Sequence, residues 1–268
     1  QLTRANSILA MGENLTGIVG PAIGGMLLAW FSAGSLFIFD AISFFVSAVT
    51  LAFMCFSSGG PGKSKKTSAW VHVVSGISFV KNHALIHHLL LLAAIVNLLL
   101  SGILAIIPPI LAKEVLHGDS RTYGFLVSSL ALGMFTGSAA VGYFDKMPRP
   151  TVFVMGFIGA GMTYLLIALF PIQPVIFFLI MLSGVFIAAV NVIFLSLVQS
   201  SIPQDRLGIT FSVIGICTSG LAPLSQSLVG FLAGYMPVMH IYLICGLMLI
   251  LCGLQAMFSR VLGATRVS

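Results

Sequence analysis

Apart from Glu13 and Asp40, charged side chains in this chain fall near its ends or in short breaks between runs of about twenty apolar residues. Runs of that length cross a hydrocarbon core about 30 Å thick as helices. This pattern constrains the fold more tightly than anything else in the sequence. A backbone removed from water has to bond to itself, so each run specifies a helix and the set specifies a bundle. Only 7% of the 268 residues are charged, against roughly a quarter in soluble domains. That leaves too little polar side chain to wet a globular surface. The expected fold class is all-α, a polytopic membrane helical bundle.

Eight runs are long enough to span: Asn6 to Trp30, Leu36 to Phe56, His87 to Leu111, Tyr123 to Phe144, Thr151 to Phe170, Pro174 to Ser200, Gly208 to Tyr235 and Val238 to Phe258. After the second comes a polar break from Ser57 to Lys66, rich in glycine and lysine. Trp70, Val73, Val74, Ile77 and Val80 then recur at helical spacing ahead of Lys81 and His83. That segment is too short and too polar to span, and it is expected to lie in the membrane interface.

Basic residues orient the bundle. With the first run leading outward, Arg4, Lys63, Lys65, Lys66, Lys81, Lys146, Arg149, Arg206, Arg260 and Arg266 fall inside. Lys113 and Arg121 fall outside, in a loop that also holds Glu114 and Asp119. Both ends are therefore expected on the cytoplasmic side of a cell membrane, and the net charge of +6 belongs to inner loops rather than to a nucleic-acid surface. The chain opens on Gln1 and reaches an apolar run within a few residues, as expected of a sequence that lacks its beginning.

Within the first run stands Gly17-Ile18-Val19-Gly20-Pro21-Ala22-Ile23-Gly24-Gly25. Proline lacks an N–H and crowds the carbonyl four residues earlier, so the helix should bend near Pro21. Gly20 and Gly24 form a small face at i, i+4, as do Gly133 and Gly137 in the fourth run. Such faces let helix backbones approach closely; the two either pack against each other or are lipid-adapted packing glycines without a gating role. Glu13 lies nine residues past Arg4, about 13 Å along a helix. An ionisable group at that depth is costly and is a functional candidate by default. Desolvation suits such a carboxyl to binding and releasing a proton, or it serves packing beside Asn14.

Asp40 is expected near the outer start of the second helix, as a structural acid facing the positive helix N-terminus. Asn97, Asn191 and Gln226 sit deep in three different runs. They either line a substrate cavity or hydrogen-bond between helices. Phe177, Phe178, Phe186 and Phe194 are expected mainly at lipid or packing contacts, with a minority walling a cavity. His83, His87 and His88 stand at i, i+4, i+5 with no carboxylate or cysteine among them, so no metal site is assigned. Cys55, Cys217, Cys245 and Cys252 lie in apolar stretches without metal or CxxC spacing and read as small hydrophobes.

A shift of 202 residues places Arg4 on Arg206, Pro21 on Pro223, Gly17 on Ser219 and Gly20 on Ala222. This suggests the end of one half followed by a related second half, as in transporters built from repeats. The Gly-Pro-x-x-Gly-Gly of Gly20 to Gly25 resembles the fifth-helix antiporter motif of the major facilitator superfamily. Leu2 to Ser7, Phe39-Asp40-Ala41-Ile42-Ser43-Phe44 and the group Gln199, Pro203, Asp205 and Gly208 resemble its macrolide-efflux and enterobactin-exporter-like branch.

The resemblance implies helices five to twelve of twelve. Residues 1–56 would end the first half, 57–83 would form a cytoplasmic linker, and 84–268 would make the second six-helix half. It also implies that the two glycine faces meet between the halves. Asp145, Lys146 and Arg149 stand in a degenerate form of the family's gating loop, with Pro148 in place of a glycine.

The implied function is export of a hydrophobic or amphipathic small molecule such as a drug, macrolide or siderophore, coupled to protons, by a monomer in the lipid bilayer. A truncated, non-transporting membrane protein is the alternative. A membrane-embedded enzyme would need clustered catalytic groups, which six scattered acids do not supply. No phosphate-binding glycine loop appears, and no cofactor or nucleic-acid partner is assigned.

Overall fold

The computed structural model describes residues 8–9, 11–12, 15, 32–53, 78–143 and 147–259. Among these it is helical, with no strand. The helices are α1 (Ala33–Phe53), α2 (Ala84–Ile110), α3 (Ser120–Tyr143), α4 (Arg149–Leu169), α5 (Gln173–Ser201), α6 (Gln204–Ser219), α7 (Ala222–Ala233) and α8 (Val238–Phe258). Seven stretches of the described residues are long and apolar enough to cross a membrane, with α6 and α7 together making one. The protein is a multi-pass all-α membrane protein. The first expected run, with its glycine-proline stretch, lies almost wholly outside the described residues.

Proline sets the main departures from straight helices. Pro108 and Pro109 lie inside α2 and supply no N–H, so the ladder loosens where they stand. The chain continues into a π turn over Leu111–Val115, in which the Leu116 N–H donates to the Leu111 carbonyl at 3.0 Å. The run expected as one helix from Gly208 to Tyr235 is two. It begins four residues earlier, behind Pro203, and breaks at Gly220 and Leu221. Pro223 takes the second position of α7, where its missing N–H would lack a partner in any case. Proline thus restarts the helix instead of merely bending it.

The core is formed by α2 to α8. Helices α4 and α8 pack along their length, as do α3 with α5 and α4 with α5, while α7 lies on α2. Close approach in this core depends on glycine. A Cβ on Gly161 would come within 2.7 Å of the Gly246 carbonyl oxygen, and one on Gly246 within 2.8 Å of that of Gly161. Tyr164 and Tyr242, both buried, meet edge to face across the same pair with centroids 5.3 Å apart. Such contacts are how membrane helices associate when lipid removes the hydrophobic drive between them.

The last residues of the expected interfacial segment dock on this core. Residues 78–82 are helical, and Val80 is 2% exposed. The Arg206 guanidinium lies over the Phe79 ring at 5.1 Å, a cation–π distance. His83 then caps α2 by accepting the Ile86 N–H on Nδ1 at 3.4 Å. Cys245 and Cys252 are buried and Cys217 half-buried.

Candidate functional site

A cavity of about 360 Å³ opens among α2, α3, α4, α5 and α6. That is within the ~300–1,000 Å³ of small-molecule sites. Asn97 and Asn191 both line it, with Phe153, Phe157, Phe194 and Met134 as the apolar wall. The Asn97 amide nitrogen donates to the Ala93 carbonyl of its own helix at 2.9 Å, which leaves its oxygen as an acceptor. The Asn191 side chain is exposed to the cavity and makes no hydrogen bond among the described residues. Thr218, also at the wall, donates to the Ile214 carbonyl at 2.9 Å.

Among the described residues the lining contains no formal charge. Chemically, this is a greasy surface with neutral hydrogen-bonding points. It suits an amphipathic molecule.

Of the three amides read as lining a cavity or bonding between helices, the fold brings two together at a cavity. Gln226 is the exception. It is exposed on α7 and does not line this space, because α7 turns its Ser225 and Val229 toward α2 instead. Of the four phenylalanines, Phe194 walls the cavity and Phe186 lines a different cleft. Phe178 is exposed, and Phe177 meets Phe125 at 6.1 Å. Phe153 and Phe157 were not singled out from sequence. They sit four apart and stack edge to face at 4.9 Å, a spacing that marks one helix stripe but does not say which side faces the cavity.

Gly133 and Gly137 do pack a backbone closely, but the partner differs from the one expected. A Cβ on Gly133 would run into the Met181 carbonyl oxygen, and one on Gly137 into that of Val185. Gly184 reciprocates against Leu130 and lies 2.9 Å from the Met134 nitrogen by the same construction. The seam therefore joins α3 to α5. Gly20 and Gly24, with Gly17, Pro21, Gly25, Glu13, Asp145 and Lys146, lie outside the described residues.

Asp40 also stands differently from its expected place. Helix α1 begins at Ala33, and Ser32 caps it by accepting the Ser35 N–H at 3.3 Å. Asp40 is then seven residues in, about 10 Å along the axis and past the first turn, where the helix-dipole effect is largely spent. It lies within a stretch long and apolar enough to cross a membrane. The unforeseen polar contact is Ser225, 0% exposed, whose hydroxyl oxygen accepts the Gly102 N–H at 2.7 Å between α7 and α2.

The described residues thus form an all-α bundle with paired glycine seams, proline-broken helices and an interior cavity. Residues 1–266 match the profile of the transmembrane secretion effector family. The chain belongs to that family, which is part of the major facilitator superfamily. It is 28% identical over 295 residues to YfiS of Bacillus subtilis, an uncharacterised MFS-type transporter, covering 99% of this chain and 65% of the relative.

It is also 26% identical over 262 residues to the multidrug efflux pump Tap of Mycolicibacterium fortuitum (96% and 63% covered). The multidrug efflux pump Tap of Mycobacterium tuberculosis is 27% identical over 265 residues (95% and 61% covered). The chain thus spans less than two thirds of these relatives' own length. No solved structure matches it.

Proposed function

We propose that the protein works as a secondary transporter that exports a hydrophobic or amphipathic small molecule by alternating access, with proton entry as the driving force. The observation that carries this reading is the uncharged cavity holding Asn97 and Asn191 among phenylalanines. An aromatic wall accepts many apolar shapes, and a few neutral polar groups orient them. The names of the two Tap relatives, multidrug efflux pumps, support export.

In this reading residues 1–56 close the first half and 84–268 form the second, and the halves rock about the cavity. Glu13 carries the proton, and Asp40 is a second intramembrane carboxyl able to do so. Asp145, Lys146 and Arg149 face the cytoplasm beside both chain ends, in a monomer of the cell membrane.

The test is accumulation of fluorescent and antibiotic compounds in cells expressing the full-length gene, with and without a protonophore. Asn191→Leu should raise accumulation of at least one exported compound about tenfold toward the level of cells lacking the gene. Its expression should be unchanged. Glu13→Gln should remove the protonophore-sensitive part. Wild-type cells that accumulate every compound as empty cells do would overturn export. Coupled export by Glu13→Gln would remove Glu13 from the mechanism.

A further inference from the structure

Behind the cavity just described, on the other side of the same three helices, lies a second space of about 300 Å³ with an almost wholly apolar lining. The two use alternate faces. On α4, Phe153 and Phe157 look into the first, while Val152 and Gly156 line the second. On α5, Asn191 belongs to the first, and Val185 and Ala189 to the second. Gly137 and Gly156 let α3 and α4 each come close to α5 at the floor of this space. Met155, 55% exposed, and Met147, 39% exposed, stand at its rim. It is therefore a cleft open to the surface of the bundle.

A basic residue stands beyond one end of this cleft. Arg149, Val152 and Gly156 stand at i, i+3, i+7 and form one stripe of α4, with Arg149 a turn beyond the cleft wall at the helix start. A cleft that takes only hydrocarbon, with an arginine one turn past its wall at a helix terminus, has the chemistry of a phospholipid site. The acyl chain fills the apolar part, and the phosphate meets the guanidinium, as in basic pockets between membrane helices. Arginine matches phosphate bidentately, which lysine cannot do.

We propose that the α3–α4–α5 cleft is a binding site for an anionic membrane phospholipid, with one acyl chain between Gly137 and Gly156 and the headgroup at Arg149. In this assignment the lipid braces α3 against α4 at the start of α4. The proposal does not depend on which compound is carried, or on whether transport is proton-driven.

The experiment is native mass spectrometry of the full-length detergent-purified protein, titrated with phosphatidylglycerol and with phosphatidylcholine of the same acyl chains. Wild-type protein should retain the anionic lipid at least about fivefold over the zwitterionic one. Arg149→Gln should bring that ratio close to one while still holding both lipids. Ala140→Phe places a ring in the acyl cleft and should lower retention of both by about fivefold. Each variant is checked for a monodisperse elution profile. Equal retention of the two lipids by wild-type protein would overturn the proposal. So would an undiminished ratio in Arg149→Gln, or an Ala140→Phe protein that elutes normally and keeps its lipid.

Discussion

Two helix pairs in this bundle are built from the same small-residue chemistry and do different work. Between α3 and α5, Gly133, Gly137 and Gly184 bring backbone onto backbone over a full turn and more. Neither helix contains an interior break along that seam. Between α2 and α7 one glycine marks the closest approach. A Cβ on Gly102 would stand 2.5 Å from the Ser225 carbonyl oxygen and 2.6 Å from Val229, and the Ser225 hydroxyl accepts the Gly102 N–H.

Both members of this second pair are interrupted nearby, α2 at Pro108 and Pro109 and α7 at the break before Pro223. A seam of repeated glycines fixes two helices along their length. One glycine with one hydrogen bond between two helices, each interrupted at one end, pins them at one polar point. We read the first pair as a rigid wall of the cavity and the second as a joint beside it.

The largest expected effect comes from breaking the rigid wall. Gly133→Leu drives a side chain into the Met181 backbone, which has no rotamer to yield. Overpacking usually costs about 1–3 kcal/mol and occasionally more; against backbone the loss should exceed that range. Folded protein should be nearly absent on size exclusion in mild detergent, and a normal peak with an unchanged melting midpoint would show the seam to be adaptable.

A smaller change tests the joint. Ser225→Ala removes one interhelical hydrogen bond, worth on average about 0.6 kcal/mol in membranes and at most about 1.7. The melting midpoint should fall only slightly, while the transport rate falls severalfold. Equal, small losses in both would make Ser225 an ordinary packing contact. The smallest effect is expected at Gln226→Leu, next to the joint but exposed and away from the cavity. Stability should change by less than about 0.5 kcal/mol, with the compound profile intact. A profile altered as much as by Asn191→Leu would extend the cavity onto α7.

Much of this was legible residue by residue. Val238 and Phe258 bound the last helix both in the apolar run and in the fold, because Pro237 stops helix propagation backward and hydropathy marks the span. The break in the preceding run was half legible, since Pro223 announced a disturbance but not a restart. The seam was visible as Gly133 and Gly137 without its partner, because the i, i+4 spacing says that a backbone will come close and not whose. Asp40 was read one turn too near its helix end, since Ser32 begins the helix ahead of the apolar run. Asn97, Asn191 and Gln226 looked alike in sequence, and only packing separated them.

What the sequence determined by itself is local. Backbone in lipid must satisfy its own hydrogen bonds, so apolar runs become helices and prolines interrupt them wherever they stand. What tertiary structure decided is which face of each helix meets a neighbour. In a membrane the lipid-facing and buried sides are both apolar, so hydrophobic periodicity carries little facial information. The choice passes to side-chain and backbone fit between helices distant in the chain. That fit put two asparagines in one cavity, turned Gln226 away from it, and set Gly133 against Met181.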